Sequence, residues 1–208
     1  MATQKYLKIA EMFKSIQGEG KYVGVPMVFI RTSGCTRKCT WCDSKYHKKG
    51  RKVSFDKIIE FVVKSGLGTV CFTGGEPLLQ KNKIFNLISE LGGGYTYKFH
   101  LETNGDLLDC DIYTFKYVSA SPKTIKVAKQ VHEAFESLDD YDVKVVTDGK
   151  SVGREMIKYA TVLMPLSTGV PMVDKVTNRR VWALCIKSGK RYSPRLHVDL
   201  FGLKKRGV

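Results

Sequence analysis

Gly34-Cys35-Thr36-Arg37-Lys38-Cys39-Thr40-Trp41-Cys42-Asp43-Ser44 places three cysteines in one short loop, with three residues between the first two and two between the last two. Thiolates this close cannot all pair as disulfides, but they can converge on one soft metal centre. Four thiolates would close a zinc or iron–sulfur site. Three leave one coordination position free, and an open position is where a metal centre does chemistry. Gly34 and its small polar neighbours suit a loop that wraps around a cluster. The plainer alternative is a zinc knuckle with His47, five residues after Cys42, as fourth ligand. A disulfide reading is weaker, because no secretory leader opens the chain and six cysteines in 208 residues do not make a disulfide scaffold.

Outward from this loop the chain repeats strand, loop and helix. Before it, Pro26 to Arg31 is an apolar, partly β-branched run that reads as a buried strand delivering Arg31 to its end. Leu7 to Lys14 reads as a first strand, followed by the turn-rich Ser15-Ile16-Gln17-Gly18-Glu19-Gly20. After the loop, Ser54 reads as the N-cap of a helix over Phe55–Lys64. The strand Gly68–Phe72 ends in Thr73-Gly74-Gly75-Glu76-Pro77, where adjacent glycines expose backbone to a ligand and Pro77 stops continuation. Then come a helix over Lys83–Leu91, a strand over Lys98–Glu102 ending in Thr103-Asn104-Gly105, and a strand over Tyr117–Ala120 ending in Ser121-Pro122-Lys123. A helix over Val127–Leu138, a strand over Asp142–Val146 and a short helix over Gly153–Tyr159 follow. A strand over Thr161–Leu163, a long helix over 172–187 and a last strand over Leu196–Leu200 complete the chain.

This rhythm predicts an α/β fold with right-handed crossovers. The chain is too short for a full eight-fold barrel, so a partial (β/α) barrel of about six mostly parallel strands is expected. Glycine-rich and polar motifs recur at the carboxyl ends of the strands, where such folds place their sites. With no composition break, residues 1–208 read as a single domain with a short N-terminal strand and a basic C-terminal extension.

Composition bounds the partners. Hydrophobic content is 43%, no apolar run approaches a membrane span, and a reduced cytoplasmic protein is expected. The formal net charge is +15. Seven basic residues against Asp43 fall in 36–52, and ten against Asp199 in 175–208. Such a surface attracts nucleic acid, an acidic reductant or a carboxylate substrate. A nucleic-acid partner is not favoured, because aromatics are not interleaved with the basic residues.

The cysteine spacing resembles that of the radical S-adenosylmethionine (SAM) enzymes. That resemblance implies a [4Fe–4S] cluster on Cys35, Cys39 and Cys42, with SAM on the fourth iron. It sets the Gly-Gly-Glu-Pro segment at the methionine end of SAM, with Glu102 and Asn104 nearby. Ser15 to Gly20, Phe29-Ile30-Arg31, Cys42-Asp43-Ser44, Thr73, Ser121-Pro122-Lys123 and His197 together resemble the 7-carboxy-7-deazaguanine synthase family, from about Glu11 to about Gly202. The resemblance implies conversion of 6-carboxy-5,6,7,8-tetrahydropterin to 7-carboxy-7-deazaguanine, in 7-deazapurine (queuosine-type) biosynthesis. By position it implies substrate contacts at Ile16, Gln17, Gly18, Glu19, Arg31, Thr73 and His197. It implies SAM contacts at Trp41, Cys42, Asp43, Gly75, Ser121, Pro122 and Lys123, and Mg²⁺ on Ser44, where many relatives have Thr. A homodimer and a flavodoxin-like or other reductant are implied as partners. The family's carboxyl terminus often closes over the substrate, whereas the final residues here are unusually basic. Two other readings compete: a glycyl-radical activating enzyme, which shares the cysteine spacing, and a zinc-bearing nucleic-acid-binding protein.

Overall fold

The computed structural model describes residues 5–40, 42, 44–203 and 205–208. Its strands are β1 (Tyr6–Ile16), β2 (Pro26–Thr32), β3 (Arg51–Ser54), β4 (Thr69–Gly74), β5 (Lys98–Thr103), β6 (Tyr117–Ala120), β7 (Tyr141–Thr147), β8 (Val162–Pro165) and β9 (Arg191–Tyr192). They form one sheet in the order β3-β1-β2-β4-β5-β6-β7-β8-β9. From β2 to β9 every pairing is parallel, while β1 runs antiparallel to both β2 and β3. The sheet is open. The expected six parallel strands are β2 and β4 to β8, and the two-residue β9 extends them by one. Five helices join them: α1 (Phe55–Ser65), α2 (Lys81–Glu90), α3 (Ile125–Phe135), α4 (Pro171–Ser188) and α5 (Leu196–Phe201).

The central strands are apolar because both of their faces are covered. Ile30, Phe72, Phe99, Leu101 and Val118 pack on one face against Ile58 and Val62 of α1, Ile84 and Leu87 of α2, and Val127, Val131 and Phe135 of α3. Met27, Phe29 and Cys71 pack on the other with Phe13, Tyr22 and Val25. Phe72 is fully enclosed, so truncation to alanine would cost about 3–5 kcal/mol in lost transfer energy and cavity. A second cluster, Val145, Leu163, Val181 and Cys185, ties α4 to β7 and β8. Ser54 occupies the N-cap of α1 with extended backbone but makes no side-chain cap bond, and Gly66 ends the helix at φ 71°, a conformation open to glycine. Thr124 caps α3 by accepting from Val127 N at 3.4 Å.

Three elements depart from expectation. The last strand, placed over Leu196–Leu200, is the helix α5. Its alternating pattern suggested a strand, but Asp199 N and Gly202 N donate to the carbonyls of Arg195 and Val198 four residues back. The sheet ends instead at β9, and Leu200 and Phe201 stay exposed. The segment over Gly153–Tyr159 is a 3-10 turn over Arg154–Tyr159 rather than an α-helix. The basic stretch Arg51–Ser54, to which no element was assigned beyond Ser54 as an N-cap, forms the edge strand β3, whose Val53 alone is buried. Exposed Arg51 and Lys52 mark it as a charged edge, which resists further strand addition.

Candidate active site

The parallel strands deliver Arg31, Thr73 and Glu102 from their carboxyl ends to the wall of one cavity of about 820 Å³. The sulfur-bearing residues Cys35, Cys39 and Cys42 line it too, each partly exposed. The cysteine loop is anchored by backbone. Gly34 N donates to His47 O at 3.2 Å, Glu76 N to Gly34 O at 2.8 Å, and Gly75 N to Thr32 O at 3.3 Å. A Cβ on Gly75 would lie 1.9 Å from Gly34 O, so only glycine permits this approach. Gly74 stands at φ 140° with Thr32 O 2.4 Å from where its Cβ would be, a second obligatory glycine.

Glu76 of the same segment turns inward rather than toward the cavity. Fully buried, it accepts from Leu78 N at 3.1 Å, Thr103 Oγ1 at 2.8 Å and Asn104 N at 2.8 Å. Burial raises its pKa, and these three donors work against the rise. The carboxylate therefore stitches the end of β4 to the end of β5, beneath the cysteine loop.

The donors around the sulfurs suit thiolates. Cys35 Sγ accepts from Arg37 N at 3.4 Å and from Asn104 Nδ2 at 3.7 Å. Such bonds and an adjacent guanidinium stabilise negative sulfur. Among the described residues, no three His, Cys, Asp or Glu side chains gather around a single-ion position. His47, the zinc reading's fourth ligand, is buried with Nδ1 unpartnered and packs against the backbone of Gly75. Three cysteines on one cavity wall, with N–H donors aimed at the Cys35 sulfur, suit thiolate ligands of an iron–sulfur cluster.

At the other end stand the residues expected at the substrate. Gln17 Nε2 and Thr73 Oγ1 donate to the two oxygens of Glu102, at 3.0 and 2.7 Å. Glu102, expected at SAM, thus stands where the two sets meet. Glu19 is held by the Lys144 ammonium, by Arg195 Nε at 3.2 Å and by His197 Nε2 at 3.9 Å. Burial works to keep its carboxyl neutral, but Lys144, Arg195 and His197 overcome this and hold it well below the usual carboxylate range. Burial likewise opposes the Lys144 charge, and Glu19 and Glu102 more than restore it. Arg31 lies 3.5 Å from Glu11 and donates to Ser44 Oγ at 3.2 Å. Its guanidinium stands 5.8 and 5.7 Å from the ring centres of Phe13 and Tyr46, which fixes the plane of the fork.

Ile16, Gly18, Gly75, Asn104, Ser121, Lys123 and His197 line the same cavity, and Pro122 does not. Trp41 and Asp43 lie outside the described residues. Leu203, Arg206 and Val208 reach the wall, and the Arg206 guanidinium sits 3.9 Å over the Tyr46 ring. Sequence reasoning missed Lys144, Arg195 and Asp106. Lys144 carried a signal: a charged residue between Val143 and Val145 of a buried strand must find a buried partner.

The family model for the Radical SAM superfamily matches residues 29–181, and the chain belongs to that superfamily. It is 30% identical over 239 residues to the 7-carboxy-7-deazaguanine synthase of Rhodopirellula baltica, covering 100% of this chain and 91% of the relative. Within the superfamily, the chain belongs to the 7-carboxy-7-deazaguanine synthase family. Identity rises to 42% over 100 residues with the synthase of Thermoplasma acidophilum, a match in which the chain spans about half the relative's length, 47%. The crystal structure of QueE from Escherichia coli superposes with a TM-score of 0.58 at 19% identity, covering 95% of this chain and all of that one, which shows a shared fold. Family membership favours the first of the three functional readings over the zinc-bearing and glycyl-radical alternatives.

Proposed function

We propose that this chain converts 6-carboxy-5,6,7,8-tetrahydropterin to 7-carboxy-7-deazaguanine, with ring contraction and loss of ammonia, in 7-deazapurine biosynthesis. The observation that carries the reading is one shared cavity, with three cysteines at one end and a fixed polar set, Gln17, Thr73, Glu102 and Arg31, at the other. Cys35, Cys39 and Cys42 would hold a [4Fe–4S] cluster, which together with SAM would supply the radical chemistry.

The chain's own residues bind, orient and shield. Arg31, near the Phe13 and Tyr46 rings, offers a bidentate fork to the substrate carboxylate. Gln17 and Thr73 hold Glu102 in place, and Glu102 accepts from ring N–H groups. Glu19, kept ionised by its buried cations, presents a fixed negative charge where nitrogen protons gather as ammonia leaves. Gly75, Asn104, Ser121 and Lys123 line the part of the cavity assigned to SAM, with Trp41 and Asp43 assigned there by position in the sequence. Ser44 would give Mg²⁺ one hard oxygen, with substrate and water oxygens supplying the rest.

Two partner proposals follow, with a setting and a domain reading. Exposed Lys38 lies within the cysteine loop, and exposed Lys45, Lys48, Lys49, Arg51 and Lys52 follow it in sequence, a basic run that suits an acidic, flavodoxin-like electron donor. On α4, exposed Met172, Val176, Ala183 and Ile186 share one face, opposite the buried Thr177, Val181 and Cys185, which supports a homodimer through that helix. No described helix is long and apolar enough to cross a membrane, and the free thiols support a reducing, cytoplasmic setting. We read residues 1–208 as one domain, as the single nine-stranded sheet supports.

The test is anaerobic. Reconstituted protein with the tetrahydropterin, SAM, Mg²⁺ and a strong reductant should yield the deazaguanine. Its absence with the iron–sulfur cluster intact rejects the substrate assignment.

A further inference from the structure

The segment Thr36-Arg37 of the cysteine loop is tied to one carboxylate that is neither a cavity residue nor a ligand. Asp106 follows β5 and accepts from Thr36 Oγ1 at 2.7 Å. It also takes the Arg37 guanidinium side-on, Nε to Oδ2 at 2.7 Å and NH2 to Oδ1 at 2.5 Å. Asn104 completes the tie. Its Nδ2 donates to Thr36 Oγ1 at 2.8 Å and reaches Cys35 Sγ at 3.7 Å, while its Oδ1 accepts from Asp106 N at 2.9 Å. The side chains of Asp106 and Arg37 are 14% and 28% exposed, so the pair is shielded enough to hold its geometry.

We propose that Asp106 is a positioning residue for the iron–sulfur cluster: through Thr36 and Arg37 it fixes the first cysteine of the loop and sets a guanidinium beside the thiolates. The inference rests on the cluster assignment above. Its physical content is outer-shell control. A loop that must present three sulfurs at set distances loses less entropy on binding when its first turn is already pinned. The Asp106 charge also offsets that of Arg37, whose guanidinium donates to both of its oxygens. Removing that negative charge leaves a bare cation at the cluster, which favours the reduced, more negative state.

The experiment compares wild type, Asp106→Ala and Asp106→Asn, each reconstituted anaerobically. Iron and sulfide per chain are measured first, then the rate at which a chelator strips iron, the midpoint potential of the cluster, and the melting temperature of each iron-free protein. Asp106→Ala is expected to lose iron ~10-fold faster or more, the size usual for an outer-shell partner. Asp106→Asn keeps an acceptor oxygen for Thr36 and Arg37, so it should recover most of the retention. Both variants should show a more positive potential. Iron-free melting should be equal in all three. Equal stripping rates and equal potentials across a loaded set would overturn the proposal. So would a fall in iron-free melting large enough to account for the faster loss, since the role would then be merely structural. A wild type that takes up no iron under these conditions rejects the cluster assignment itself, and the positioning role with it.

Discussion

Replacing Lys144 with Met tests the charge arrangement at the substrate end. Lys144 lies on β7 with a side chain only 7% exposed, against Glu19 at 14%. Methionine matches the volume and leaves Glu19 buried with Arg195 at 3.2 Å and His197 at 3.9 Å. Breaking one side of a buried pair costs about 3–5 kcal/mol. Because Arg195 remains, the low end applies, about 3 kcal/mol. For a chain of this size that loss lowers the melting temperature by about 6–12 °C.

The pH dependence has a definite sign. Glu19's carboxyl is held below its ordinary value in the folded chain. Its stabilisation is therefore present above the ordinary carboxylate pKa of about 4.3 and fades as pH falls below it. In Lys144→Met the folded-state pKa moves back toward the ordinary value, so the acid-side loss still begins near 4.3 but is smaller and is complete at a higher pH. Lys144's own pKa is raised, so its share fades only in alkali, above about 10.4. Thermal melts of the iron-free protein from acid to neutral pH, with Glu19→Gln and the double variant completing a cycle, give the coupling directly. Additive single losses, or a melting temperature for Lys144→Met within about 1 °C of wild type at neutral pH, a shift worth well under 1 kcal/mol, refute the reasoning.

Four shorter predictions follow. Alanine at Cys35, Cys39 or Cys42 should each abolish the brown cluster colour after reconstitution, while alanine at the buried Cys71 or Cys185 leaves it, as absorbance will show. Gly75→Ala forces a methyl to within 1.9 Å of Gly34 O, so SAM binding by calorimetry should fall steeply in a chain that still melts cooperatively. Arg31→Lys removes the bidentate fork, and with about 2 kcal/mol lost the substrate Kd should rise ~30-fold, measured by titration without SAM turnover. His100, buried between Tyr22 and Tyr117, has its pKa pushed down to about 4 chiefly by burial. The unfolded chain binds that proton from about 6.5 downward, so stability falls with acidification between about 6.5 and 4. His100→Gln should flatten that part of the denaturant-measured profile.

Much of the site was legible in the residues themselves because its chemistry is local. Three cysteines within eight positions can meet without knowledge of the rest of the chain, and adjacent glycines announce a backbone approach wherever they stand. The apolar, β-branched runs at Met27–Ile30 and Val70–Phe72 likewise declared buried strands, and the strand–loop–helix alternation made them parallel. The last segment resisted, because Leu196 to Leu200 alternates well enough for a strand. Only the backbone bonds to the carbonyls of Arg195 and Val198 made it a helix.

Pairings between distant elements were the part left to tertiary structure. Glu19 and Lys144 are separated by 125 positions, Arg37 and Asp106 by 69, and no local pattern links them. Glu76 illustrates the same limit. Its place in a glycine-rich segment suggested a ligand contact, yet packing turned it inward to hold Thr103 and Asn104. A residue's type and near neighbours set what chemistry it can perform. Which charge it meets depends on how the strands are ordered across the sheet, and that order follows from burying every apolar face at once.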